Sequence, residues 1–202
     1  MKLLYGTTNQ AKLELMRRAL TPIGIDVIGL SDLGREIPSV DESGNSPLEN
    51  AELKARTYFE AFHMPVFSCD SGLYFEGLAD EEQPGVHVRR IGGRELSDAE
   101  MTEYYAELSR KNGGNIIGQY RNAIFLILDE EHTYSSMDLS IATEPFILSD
   151  TPHPKRVAGF PLDCLSKDPK SGEYYYDMKE MRLVSGTEAG LRDFFGGVFE
   201  KH

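Results

Sequence analysis

The first thirty residues constrain the fold most. Lys2 to Tyr5 is a short apolar run that stops at Gly6, and it predicts a first strand. From Gln10 to Leu20 the residues Leu13, Met16 and Leu20 recur on one helical face. Asn9 stands where an N-cap belongs. Pro22 and Gly24 close that helix, and Asp26 to Leu30 predicts a second strand. A strand, a loop, a helix and a strand in that order argue for an α/β protein.

The rest of the chain keeps mixing the two element types. Ser46-Pro47-Leu48-Glu49 is a helix start, with Ser46 as cap, Pro47 at the first helical position and Glu49 completing a capping box. Leu48, Ala51, Ala55, Phe59 and Phe62 continue that helix, and Pro65 ends it. Val66 to Cys69 predicts a short strand, with Leu73 to Leu78 pairing near it. Ser97-Asp98-Ala99-Glu100 opens a helix to about Arg110, broken by Gly113-Gly114. Gln119 to Asp129 and Thr133 to Glu144 predict two long strands joined by an acidic turn. Gly159 to Leu165 predicts a strand or an ordered loop. Ser185-Gly186-Thr187-Glu188 opens a last helix reaching about Val198. A long hairpin late in the chain points to a mixed β-sheet flanked by helices rather than a purely parallel one.

Composition narrows the partners. Hydrophobic residues at 40% and charged residues at 27% give enough apolar side chain for one large domain or two lobes sharing a core. A net charge of -12 disfavours nucleic-acid polymers, which need a basic face. A small anion is still accessible to a few lysines gathered around a metal. Cys69 and Cys164 make neither a disulfide framework nor a zinc-ligand spacing, so the expected setting is reduced and cytoplasmic. The N-terminal residues carry no signal-peptide stretch, and the longest apolar run, Ala123 to Leu128, is too short to span a bilayer. No membrane role is expected.

Three segments carry chemistry. Thr7-Thr8-Asn9-Gln10-Ala11-Lys12 lies between the first strand and the first helix, where free backbone N–H groups and the helix dipole favour an anion. Thr7 and Asn9 add side-chain donors, and Lys12 adds a charge. The Gly-Lys-Ser/Thr ending of a Walker loop is absent. Glu42 stands in a loop before the second helix, and Lys54 lies two turns into that helix. Asp70 follows an apolar strand and precedes Ser71-Gly72, a place that suits catalysis in α/β proteins and equally suits a simple turn. Two carboxylates from different elements, Glu42 and Asp70, are suited to share a Mg²⁺ that also binds substrate phosphates.

In series these residues resemble the inosine triphosphate pyrophosphatase family. The match runs through Thr7-x-Asn9-x-x-Lys12 and Glu42-x-Gly44. It continues with Asn50-Ala51-x-x-Lys54-Ala55-Arg56, Asp70-Ser71-Gly72-Leu73, and Pro84-Gly85 with Arg90 downstream. The resemblance implies one domain over residues 1–202, built as an elongated two-lobed α/β fold with a central cleft. It implies a homodimer and Mg²⁺-dependent hydrolysis of deaminated purine nucleoside triphosphates to monophosphate and pyrophosphate. Thr7, Thr8, Asn9, Lys12, Ser71 and Arg90 would bind substrate, Asp70 and Lys54 would be catalytic, and Glu42 and Asp70 would hold the metal. Phe160 would stack on the base, and Asp163 would orient it.

The second half departs from the family pattern. Leu162 replaces the usual aromatic, Cys164 the usual proline, and Cys69 a position commonly acidic. The closing Ser-His-Arg motif is missing, leaving Lys179 and Arg182 as candidates to supply its charge. Two other readings follow. One is a catalytically silent nucleotide-binding or regulatory module of the same fold. The other is an α/β scaffold whose acidic surface serves protein partners.

Overall fold

In a computed structural model, residues 1–178 and 185–200 are described. In chain order they form β1 (Lys2–Tyr5), α1 (Gln10–Leu20), β2 (Asp26–Gly29), α2 (Pro47–Phe62), β3 (Val66–Phe75), β4 (Arg90–Ile91), β5 (Arg94–Glu95), α3 (Asp98–Lys111), β6 (Asn115–Ile127), β7 (Thr133–Ser136), β8 (Phe146–Ser149), β9 (Ser166–Lys167) and α4 (Ser185–Phe199). A seven-stranded sheet has the order β2-β1-β3-β6-β8-β9, with β7 also on β6. β1 is parallel to β2 and β3, whereas β6 is antiparallel to β7 and β8. The expected mixed sheet is therefore present. Among the described residues, no helix is long and apolar enough to cross a membrane.

Two compact units emerge from the chain's internal contacts. The first comprises Met1–Ser71, Arg121–Thr143 and the described part of Val184–His202. Its strands alternate as an extended backbone requires. Leu3 and Tyr5 of β1, with Phe67 of β3, pack with Leu13, Met16 and Leu20 of α1 and Leu191 and Phe195 of α4. Leu4 and Val66 point the other way, to Ala51, Ala55 and Tyr58 of α2. Helices thus cover both faces of this part of the sheet.

α4 sits close to the backbone it packs on. A Cβ added at Gly190 would lie 2.1 Å from the carbonyl oxygen of Ser140, so only glycine fits there. Thr187 Oγ1 donates to Ala142 O at 2.8 Å, and Arg18 pairs with Glu188 at 2.5 Å.

The second unit comprises Gly72–Tyr120 and Glu144–Leu183, described to residue 178. Its core gathers Leu73 and Phe75, Met101 and Tyr105 of α3, Ile116 of β6, Phe146 and Leu148 of β8, and Leu162, Cys164 and Leu165. Ser97 caps α3 and exchanges bonds with Glu100, the expected capping box.

Three expectations are corrected. Val66 to Phe75 is one unbroken strand, so Asp70-Ser71-Gly72 is extended rather than a turn. The predicted strand from Thr133 ends at Ser136, because Asp138 caps a short 3₁₀ turn by accepting from Ser140 N–H. Of the two readings of residues 159–165, the ordered loop holds, ending in a 3₁₀ turn. At α2, Ser46 Oγ does accept from Glu49 N–H, but the Glu49 carboxylate accepts from Asn45 N–H at 2.6 Å instead of closing the box on Ser46. Lys179 and Arg182 lie outside the described residues.

Candidate active site

In the first unit Lys54 gathers two of the candidate carboxylates. Asn50 and Lys54 are four residues apart on α2, so both project from one stripe of the helix. Asp70 is on β3, three residues beyond the last residue paired with β1. Its position parity matches Val66, so its side chain is on the α2 face of the strand. Lys54 Nζ donates to Asp70 Oδ1 at 3.0 Å and to Glu42 Oε2 at 2.9 Å. The Lys54 and Asp70 side chains are 12% and 15% exposed, and Glu42 is 49% exposed. Burial alone would depress the Lys54 ammonium, but the Asp70 and Glu42 carboxylates outweigh it and raise its pKa above that of an ordinary lysine. An ammonium has three N–H donors. Two serve the carboxylates.

Asp70 Oδ2 accepts from Asn50 Nδ2 at 3.1 Å. Asn50 Oδ1 in turn accepts from Gly44 N–H at 2.9 Å. Asn50 belongs to the motif series, but sequence alone assigns it no role. Its four-residue spacing from Lys54 was the available signal.

The β1–α1 segment has the predicted capping form. Asn9 Oδ1 accepts from Lys12 N–H at 3.1 Å, and Thr7 Oγ1 accepts from Asn9 N–H at 3.2 Å. Both side chains spend oxygens on the turn and keep their N–H or O–H donors. Thr8, Asn9 and Lys12 are exposed. Cys69 faces this side, packing against the α1 core and hydrogen-bonding Tyr5. Burial pushes its thiol up to about 12, although Tyr5, Lys12 and Lys54 pull the other way. A thiol so protonated is no nucleophile at neutral pH. Lys12 and Lys54 thus act electrostatically on one thiol, from two helices.

Ser71 is differently engaged. Its Oγ donates to Asn122 Oδ1 at 2.7 Å, and Asn122 Nδ2 donates to Ile141 O at 2.7 Å. The Ser71 hydroxyl hydrogen is spent within the protein, leaving its oxygen as an acceptor.

In the second unit, Phe160 and Asp163 line a cavity of about 260 Å³ with Val88, Arg89, Met101 and Tyr120. Phe160 is 59% exposed. Partial desolvation raises the Asp163 pKa, and burial together with the Asp163 charge pushes Tyr120 up to about 12. Arg90 is exposed on β4. Its neighbour Arg89 is the arginine at the cavity, held by Asp98 at 2.8 Å and Leu96 O at 3.0 Å. The departures Leu162 and Cys164 are both buried in this unit's core, so packing accounts for them. A larger groove of about 1070 Å³ along α3 contains none of the predicted site residues.

The described residues contain no group of three or more histidine, cysteine, aspartate or glutamate side chains able to hold a metal. The Glu42 and Asp70 pair is the acidic set at the site, and Lys54 lies between its members.

Comparison with known proteins agrees with the motif series. A family model described as the Ham1 family matches residues 3–143. A protein of Aquifex aeolicus named dITP/XTP pyrophosphatase is 40% identical over 100 residues, covering 47% of this chain and 46% of the relative. The chain therefore spans about half the length of that relative. A Thermus thermophilus protein of the same name is 32% identical over 181 residues, covering 88% of this chain and 81% of the relative. A solved structure described as a HAM1 protein from Coxiella burnetii superposes with a TM-score of 0.74 at 20% identity over 100% of both chains, a likeness of fold.

Proposed function

This chain belongs to the Ham1 family, and we propose that it hydrolyses nucleoside triphosphates to monophosphate and pyrophosphate. The observation that carries the reading is Asp70, held at the α2 face of β3 by Lys54 and Asn50 with Glu42 on the same ammonium. The names of the relatives favour deaminated purine triphosphates such as dITP and XTP as substrates.

In this reading Asp70 orients the attacking water and accepts its proton. Attack on the α-phosphorus breaks its bond to the bridging oxygen, and pyrophosphate leaves. Lys54 offers its third N–H to a phosphate oxygen, while Lys12 and the N-terminus of α1 neutralise the leaving group. Phe160 stacks on the base, and Asp163 accepts from its N–H donors.

The donor set fits Mg²⁺, which binds through one or two carboxylates and takes its other oxygens from water and phosphates. Glu42 and Asp70 would hold it, in competition with Lys54 for their lone pairs. When bound, it supplies charge neutralisation on the phosphates and a more acidic water. A homodimer and a cytoplasmic location complete the proposal.

The test is product identity. Purified protein with Mg²⁺ and a panel of nucleoside triphosphates should release pyrophosphate, and Asp70→Asn should abolish that release. Orthophosphate as product would refute the assignment. Tight triphosphate binding without turnover would favour the silent binding module, to which Cys69 at a commonly acidic position gives some weight.

A further inference from the structure

Asn50 is 3% exposed, an amide buried in the second turn of a helix. Asparagine is a poor helix former, and a buried amide is costly unless both ends are bonded. Both ends are bonded here, and the partners fix which end is which. Gly44 N–H only donates, so it faces Oδ1, while the Asp70 carboxylate accepts and faces Nδ2. A Cβ at Gly44 would stand 2.6 Å from Asn50 Oδ1, so the approach requires glycine. The next amide, Asn45 N–H, is held by Glu49 at 2.6 Å.

These bonds close a ring. Glu42 is joined to Lys54, Lys54 to Asp70, Asp70 to Asn50, and Asn50 to Gly44, two residues from Glu42 along the backbone. Lys54 couples the two carboxylates through charge. Asn50 ties the Asp70 carboxylate to the backbone of Gly44 through a neutral amide.

We infer that Asn50 is a positioning residue of this active site, fixing the Glu42 loop and the Asp70 carboxylate relative to one another. The inference rests on the pyrophosphatase reading above. It predicts that the ring acts as one unit in catalysis.

The experiment compares wild type, Asn50→Asp, Asn50→Leu, Glu42→Gln and the Glu42→Gln/Asn50→Leu double variant. Each is assayed with dITP and Mg²⁺ well below its melting temperature. Asn50→Asp keeps the side-chain shape and the Gly44 bond but sets a carboxylate against Asp70, so it tests the inference even if Asn50→Leu fails to fold. For both Asn50 variants kcat should fall about 10- to 100-fold, the usual cost of losing such a supporting partner, with KM within about threefold. Binding of α,β-methylene dITP by calorimetry should likewise stay within about threefold. The double variant should lose at least about threefold less than the product of the single losses, the mark of coupled residues. Wild-type kcat in Asn50→Asp, or losses that simply multiply, would overturn the inference and leave the functional reading standing. Absence of pyrophosphate release by the wild type would instead overturn that reading.

Discussion

Replacing Lys54 by methionine tests the electrostatics of the site without opening a large cavity. Methionine retains most of the apolar stem and removes the ammonium. At an effective dielectric of 20, each contact near 3 Å attracts by roughly 5 kcal/mol before desolvation is counted. Glu42 is 49% exposed and can turn to water, so its contact contributes at most about 1 kcal/mol. Asp70 is 15% exposed and cannot, and stripping one partner from a buried pair costs about 3–5 kcal/mol. Asn50 still donates to Asp70, which points to the lower end and a total of about 3 kcal/mol. For a chain of this size that lowers the melting temperature by about 6–12 °C.

The assay is thermal unfolding of both proteins in metal-free buffer across pH. The pH dependence of the difference lies at the alkaline end. The folded Lys54 pKa is raised, so its contribution is full below lysine's ordinary value and is lost as pH rises through the raised one. Mg²⁺ should recover part of the deficit in Lys54→Met, because the two carboxylates then lack a cation. A melting temperature within about 2 °C of wild type at pH 7.5 would refute the reasoning. A pH-independent deficit would do the same, since it would trace the loss to packing.

Two further outcomes follow from other parts of the molecule. Gly190→Ala should lower the melting temperature by a few degrees. The new Cβ meets the backbone of Ser140, and about 1–3 kcal/mol of overpacking outweighs the gain of about 1 kcal/mol in helix propensity. An unchanged or higher melting temperature would refute the close approach. With its pKa near 12, Cys69 should react with a thiolate-selective disulfide reagent at pH 8 on the order of 10³ times more slowly than an exposed cysteine, and at the ordinary rate in denaturant. Fast labelling of Cys69 in the folded protein, located by peptide mapping, would contradict its raised pKa.

Much of the first unit was legible because its signals are local. Asn9 and Ser46 cap where the sequence places caps, and Leu13, Met16 and Leu20 of α1 are buried as their spacing implies; on α2 Ala51 and Ala55 are buried, whereas Leu48, Phe59 and Phe62 are only partly so. Glu42, Lys54 and Asp70 were candidates from their residue types, and the structure brings these three into contact. What sequence missed depends on distant partners. Asp70-Ser71-Gly72 has turn composition, yet pairing within the sheet holds it extended, and just beyond it Leu73 makes an isolated antiparallel bridge to Gly85. β8 went unread because Phe146–Ser149 is only four residues, and what makes it a strand is pairing with Asn115–Gly118 of β6. Arg89 and Arg90 are chemically alike, and only the packing that ties one of them to Asp98 and Leu96 separates them. The role of Asn50 needed Gly44 and Asp70 in space, although its spacing from Lys54 was visible beforehand.

The unbroken course of β3 gives its letters an address. Cys69 belongs to the layer of α1 and Tyr5, and Asp70 to the layer of α2 and Asn50. Exchanging those two adjacent residues would leave composition and net charge unchanged. It would also deliver the carboxylate to an apolar core beside a tyrosine and the thiol to the lysine. Asp70's single place in the order therefore decides whether its charge is an asset or a fault, which no count of acidic residues along this chain can register.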